Sequence, residues 1–158
     1  MGNRQRLQTH RHRRGVRNER EVRQAIARSS IARSELFVIG KLWITHYGYE
    51  QALQALETSQ NQLGLEHVDF YLLHWPVPSD FGLTVAAYKA AERLLGDGRV
   101  RAIGACNFKP DHLQNLVAQT EVMPGVNEVM PGVNQVELHA FFSQREVREW
   151  DARHGVLA

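Results

Sequence analysis

Apolar residues along this chain fall into two alternating patterns. Four short runs of aliphatic, β-branched and aromatic residues stand at Leu36–Trp43, Val68–Trp75, Ala102–Phe108 and Asn134–His139. With Phe37, Asp69, Ala102 and Gln135 as markers, the steps between runs are 32, 33 and 33 residues. Between the runs, apolar positions recur at helical spacing. This alternation predicts a β/α repeat built on parallel strands. Each run ends in side chains capable of chemistry: Lys41, His74, Cys106 with Asn107, and His139. Strand ends are where β/α enzymes assemble their sites.

The spacing predicts a first helix over Glu19–Arg33, capped near Asn18 and carrying Glu19 and Glu21 in its first turn. A strand follows over Leu36–Ile39. A second helix is expected from Tyr49 to Leu63, with Tyr49, Ala52, Leu53, Leu56 and Leu63 inward and Gly64 as its stop. The strand Val68–Leu73 then meets Trp75-Pro76-Val77-Pro78, where two prolines impose an extended loop. A third helix is expected from about Thr84, facing inward with Val85, Tyr88, Ala91, Leu94 and Leu95, and ending at Asp97-Gly98. The strand Val100–Gly104 comes next. Pro110 suits the first position of a fourth helix. Ser143 and Glu146 have capping-box spacing for a last helix that carries Val147 and Trp150.

Repeated crossovers of this kind give an open doubly wound sheet or a barrel. No Gly-x-Gly-x-x-Gly turn follows a first strand, which disfavours a dinucleotide-binding open sheet. Near-equal units favour a barrel, although closure takes eight strands and about 250 residues. The expectation is therefore a partial barrel. Its connection between the third and fourth runs is lengthened by an exact tandem copy, EVMPGVN at 121–127 and again at 128–134. Seven residues are too few for a solenoid unit. The copy reads as a loop insertion, tolerated because closure cost grows slowly with length.

Composition narrows the class. The chain has 158 residues, enough for one domain with a core. No apolar run approaches the roughly 18 residues of a membrane helix, and no secretory apolar segment follows the basic start. A single cysteine, Cys106, excludes an internal disulfide and points to a reducing, cytoplasmic setting. Without paired cysteines no thiolate metal site is expected. Six arginines within residues 1–17 exceed the whole net charge of +2, so the remainder is acidic on balance. That tail has no interleaved aromatics, and no specific nucleic-acid or membrane partner is expected from it. Residues 1–17 are read as a disordered or non-native leader. Its Met-Gly start does not read as an acylation signal, because Arg6 stands where Ser or Thr is needed.

Lys41 and His74 lie at the ends of neighbouring strands and can face one pocket. A Lys there supplies positive charge, and a His donates a hydrogen bond or moves a proton. Trp43 and Trp75 can wall that pocket for a small substrate. From the bare pattern, a strand-end Lys is more often a solvated charge, and an isolated His more often a core or surface residue. Asn107 and Gln135 put two amides on the same rim, which suits a planar amide edge such as a nicotinamide carboxamide.

Five segments together are more specific: NE at Asn18-Glu19, KLW at Lys41–Trp43, LHWP at Leu73–Pro76, GRVRAIG at Gly98–Gly104 followed by Asn107-Phe108, and NQVELH at Asn134–His139. In these the chain resembles the aldo-keto reductase family, especially its bacterial members, over about residues 18–157. The resemblance implies a (β/α)8 TIM barrel in which these four strands are about the third to sixth of eight. It implies NADPH-dependent reduction of small aldehydes and ketones. In the family a Tyr donates the proton, a Lys paired with an Asp lowers that Tyr's pKa, and a His orients the carbonyl. The family Lys falls on Lys41 and the His on His74. Trp43 and Trp75 match substrate-pocket positions. Asn107 and Gln135 match carboxamide-binding residues, and Cys106 stands where the family has Ser among its cofactor contacts. Ala140 replaces a usual Pro.

The register set by Asn18-Glu19 puts Val16 at the family's Tyr, Arg17 at its Gly and Arg11 at its Asp. The family's nicotinamide-stacking aromatic and its basic grip on the 2′-phosphate belong to the last two strands, which are not recognisable here. Residues 18–158 are thus expected to form an incomplete barrel domain, truncated at both ends, with the duplicated loop at 121–134. Two readings follow. One is a carbonyl reductase with impaired or absent activity as the isolated chain. The other is an inactive fragment or a module that self-associates through open sheet edges.

Overall fold

The computed structural model describes residues 18–120 and 132–158. Residues 1–17, including Arg11, Val16 and Arg17, and most of the tandem heptapeptide lie outside those residues. The described chain runs α1 (Glu19–Arg28), β1 (Ile39–Leu42), α2 (Tyr49–Leu63), β2 (Phe70–Leu73), α3 (Phe81–Gly96), β3 (Ile103–Cys106), α4 (Pro110–Val117), β4 (Asn134–Gln135) and α5 (Arg145–Arg153). The four strands form one sheet in the order β1-β2-β3-β4, each pair parallel. Helices fill every crossover, so this is an α/β fold of β/α units whose neighbours in sequence are neighbours in the sheet.

Register explains why β2 and β3 are apolar throughout. Gly40, Tyr71 and Ile103 share one row, and Leu42, Leu73 and Ala105 share another. These rows face the helices. There Tyr71, Leu73, Ile103 and Ala105 meet Leu56, Ala87, Tyr88 and Ala91 in one core. The alternate residues Phe70, Leu72 and Cys106 form a second, smaller cluster on the opposite face with Ile39 and Val133. Strands buried on both faces lose the polar alternation of a half-exposed strand.

At the N-terminal edge of the sheet, Asp69 is 2% exposed and gathers three donors. Its carboxylate accepts from the Val38 N–H at 2.8 Å, Arg33 Nη2 at 2.9 Å and Arg101 Nη1 at 3.0 Å. A buried carboxylate needs such partners, and here they tie the entries of β1, β2 and β3 together.

Several elements differ from the sequence expectation for local reasons. The first helix ends at Arg28 rather than Arg33. Ser29 takes an extended conformation, and its Oγ accepts the Ile31 N–H at 3.1 Å, which competes with further helix. Arg33–Glu35 becomes a 3-10 turn, and β1 starts at Ile39, the residue at which the expected strand Leu36–Ile39 ends. Tyr49, expected inward, is 39% exposed, while polar Gln60 is buried at 4%. Gln60 satisfies its amide by donating to the carbonyls of Glu66 and Arg99, both at 3.0 Å. The third helix starts at Phe81, and Thr84 lies within its first turns, accepting the Val77 N–H at 3.0 Å. The Ser143–Glu146 capping box does not form. Gln144, with φ 48°, is the N-cap, so Ser143 lies outside the helix and Glu146 is one position short of the box. Gly64 and Gly98 adopt left-handed φ of 66° and 70°, as helix ends of this kind require.

Candidate functional site

The register carries the expected residues to one face. Lys41 pairs with Leu72, Leu72 with Gly104, and Cys106 with Gln135. Since side chains alternate, Lys41, His74, Cys106 and Gln135 project from the face opposite the helices, near the C-terminal ends of their strands. Gly104 lies between them. A Cβ there would sit 2.6 Å from the Val133 carbonyl oxygen and 2.8 Å from Leu72 Cδ2, so only glycine lets β4 approach β3 this closely.

Two of these residues converge on one atom of a third. Lys41 Nζ donates to Gln135 Oε1 at 2.5 Å, across a sequence separation of 94 residues. The Cys106 thiol points to the same oxygen at 3.6 Å. The Trp43 indole meets the His74 imidazole edge-on, with centroids 5.0 Å apart and planes at 74°. Asn107 has φ 64°, which turns the chain sharply at the end of β3. Its Nδ2 donates to the His74 carbonyl at 2.9 Å, and its backbone N–H to the Gln135 carbonyl at 3.0 Å. Asn107 thus links the strand ends on either side of its own.

Trp75 is placed differently. Its side chain lies in an exposed residue, and among the described residues its indole makes no ring contact with this group. Its carbonyl instead accepts from the Tyr47 hydroxyl at 2.7 Å. His139, noted at a strand end, sits in a tight turn where it exchanges backbone bonds with Phe142 at 3.2 and 2.9 Å.

Electrostatics set the protonation states. Burial, followed by the neighbouring Lys41 charge, holds the His74 pKa below the ordinary imidazole value, so His74 is neutral at neutral pH. Burial pushes the Cys106 thiol up to about 11, against a smaller opposing pull from Lys41. It stays a thiol at neutral pH and is no nucleophile. Burial also raises the Tyr47 pKa. That phenol is committed to the Trp75 carbonyl, and Tyr49 is on the exposed side of α2.

The arrangement fits the amide end of a nicotinamide. Among the described residues, Asn107 Oδ1 and Gln135 Nε2 have no hydrogen-bond partner, while the complementary atoms of both amides are engaged. One acceptor and one donor are what a carboxamide needs. No group of three or more His, Cys, Asp or Glu among the described residues is placed to hold a metal. No helix there is long and apolar enough to cross a membrane.

Two residues take a part that the sequence pattern alone does not assign. Tyr47 sits in a loop, where no periodicity marks it, and only its burial reveals its use. Asn134 had a signal: an asparagine inside a strand is disfavoured, and its burial at 0% exposure requires partners.

The chain matches the aldo/keto reductase family over residues 15–157. It is 48% identical over 144 residues to a morphine 6-dehydrogenase of Pseudomonas putida, covering 91% of this chain and 46% of that protein. Among solved structures, an aldo/keto reductase from Brucella melitensis superposes with a TM-score of 0.77 at 40% identity, covering 87% of this chain and 51% of the other. A Bombyx mori aldo-keto reductase in complex with NADP gives 0.73 at 28% identity, over 88% of this chain and 46% of that one. The chain spans about half the length of these relatives. A family match over nearly the whole chain, with a solved family structure superposing on 87% of it, places it in the aldo/keto reductase family.

Proposed function

We propose that this chain carries the carbonyl-orienting part of an NADPH-dependent reductase site for small aldehydes and ketones. The convergence of Lys41 and Cys106 on the Gln135 amide oxygen, beside neutral His74, carries the reading. On this reading β1 to β4 are about the third to sixth strands of an eight-stranded barrel. Asn107 Oδ1 and Gln135 Nε2 would hold the carboxamide, with Cys106 beside them. Bound NADPH supplies the hydride that reduces the substrate carbonyl carbon. A neutral His74 orients the carbonyl oxygen by donating a hydrogen bond to it, and the Lys41 charge stabilises the alkoxide that develops. Trp43, packed on His74, and Trp75 form the apolar walls. The alkoxide then takes a proton from water, either directly or through His74, which recovers its own proton from water, because the Tyr47 phenol is engaged elsewhere. Losing one member of a coupled catalytic set costs orders of magnitude, so turnover by this chain is slow. A reducing cytoplasm suits the single buried thiol.

The test is an NADPH titration followed by tryptophan fluorescence, repeated with Gln135→Ala and then with a small aldehyde present. Saturable binding is expected, weakened about fivefold or more in Gln135→Ala, as for loss of one hydrogen bond. Absence of binding up to millimolar NADPH, or indifference to Gln135→Ala, would overturn the reading.

A second reading rests on the sheet edge. Among the described residues nothing pairs with the outer side of β1, and Phe37 beside it is 59% exposed. The β4 side is different: Leu157 bridges to Val133, and its carbonyl accepts the Asn134 N–H at 2.8 Å. Self-association would therefore use β1. Analytical ultracentrifugation decides it, since a discrete dimer supports assembly and a monomer excludes it.

A further inference from the structure

The amide of Asn134 extends the sheet where the main chain no longer can. Asn134 faces away from Gln135, toward the helices, at 0% exposure. Its Oδ1 accepts the Phe108 N–H at 3.3 Å and its Nδ2 donates to the Phe108 carbonyl at 3.0 Å. One side chain thus makes both halves of a rung between β4 and the residue after Asn107. That rung matters because Asn107 holds φ 64° without being glycine, a conformation that costs a side-chain-bearing residue free energy and is favoured where neighbouring bonds hold it.

Behind Asn134 stands Asp151 of α5, also at 0% exposure. Its Oδ2 accepts from Asn134 Nδ2 at 3.3 Å, and its Oδ1 has no partner among the described residues. Burial pushes this carboxyl up to about 6, so it costs stability when ionised. An apolar side chain would pack there at lower cost. A carboxylate does something an apolar group cannot. As a pure acceptor it dictates which end of the Asn134 amide faces α5, and so leaves Oδ1 for the Phe108 N–H.

We propose that Asp151 is a positioning residue for the candidate site: by fixing the Asn134 amide it holds the Asn107–Phe108 turn, and with it Asn107 against His74 and Gln135. Its consequence for cofactor binding rests on the reductase reading; the positioning itself rests only on these bonds.

The experiment compares Asp151→Leu with Asp151→Asn in the full chain by amide hydrogen exchange. Leucine is similar in size and removes the acceptor, while asparagine retains one. In Asp151→Leu, exchange at Phe108 and Asn107 should rise about tenfold relative to amides in α2 and α3, and Asp151→Asn should restore protection. NADPH affinity should follow the same order. Unchanged protection at Phe108 and Asn107, or an equal loss everywhere, would overturn the proposal. If the leucine variant does not fold, the unsubstituted site decides in a His154→Gln background, which removes the adjacent imidazole. There the Asn134 side-chain amide and Phe108 N–H resonances must move together as Asp151 protonates, and an indifferent Phe108 overturns the proposal. A chain that binds no NADPH defeats the reductase reading, while the exchange pattern still decides the positioning role.

Discussion

Replacing Gly104 by alanine tests whether the close approach of β4 to β3 is what places Gln135. The added methyl would lie 2.6 Å from the Val133 carbonyl oxygen, 2.8 Å from Leu72 Cδ2 and 3.0 Å from Phe70 Cζ. A tolerable carbon–oxygen contact is about 3.3 Å, so β4 must withdraw by roughly 0.7 Å at Val133. The same carbonyl accepts the Ala105 N–H at 2.9 Å. Withdrawal of that size takes the bond to about 3.6 Å, outside hydrogen-bonding range. Losing it costs about 1 kcal/mol, and crowding of buried Leu72 and Phe70 adds about 1–3 kcal/mol. The expected loss is about 2–4 kcal/mol out of a typical total of about 5–15 kcal/mol. It falls on a strand of two residues, Asn134–Gln135, held to β3 by two register pairs. Urea unfolding by tryptophan fluorescence measures the loss, and amide exchange at Ala105 and Asn107 locates it. Gly132→Ala is the control: nothing lies within 4 Å of its added methyl, and its effect should be near zero. A loss at Gly104 below about 0.5 kcal/mol, with Ala105 still protected, would refute the reasoning.

Other outcomes follow from the same geometry. Asp69→Ala removes the acceptor for Val38, Arg33 and Arg101 and should cost about 3 kcal/mol in urea unfolding, with the buried Val38 N–H left unpaired. Asp151 has its folded pKa raised to about 6 from 3.8, so the native state retains the proton longer than the unfolded chain. Stability should therefore fall by about 2–3 kcal/mol as pH rises from about 4 to about 6, and Asp151→Asn should abolish that slope. His74 should titrate below an ordinary histidine in an NMR pH series. Lys41→Met should raise its midpoint without restoring the ordinary value, because burial is the larger cause; an unmoved midpoint would dissociate the two residues.

Much of the architecture was legible because it is local. A repeat of 32 to 33 residues, a glycine at the end of α2 and a proline opening α4 act through backbone preferences that a short segment carries by itself. Motifs at four strand ends likewise announced the family, since each lies within a few consecutive residues. Local signals failed where two local options compete. Ser143 offered a helix start that Gln144 pre-empted, and Ser29 stopped a helix whose apolar period ran on.

The site's wiring was not legible in the same way. Sequence named Lys41, His74, Cys106, Asn107 and Gln135 but not which would touch. Lys41 could be assigned to Gln135 only once the register and the bare backbone of Gly104 had brought β1 and β4 within reach of each other. Tyr47 and Asp151 carry no periodic signature, and their roles exist only through burial beside a particular carbonyl or amide. Periodicity and propensity act over a few residues, whereas hydrogen bonding in a site links groups 17 to 94 residues apart in this chain. Chain order sets which strands exist and which faces they bury. The choice of partner among polar groups of similar chemistry is left to packing.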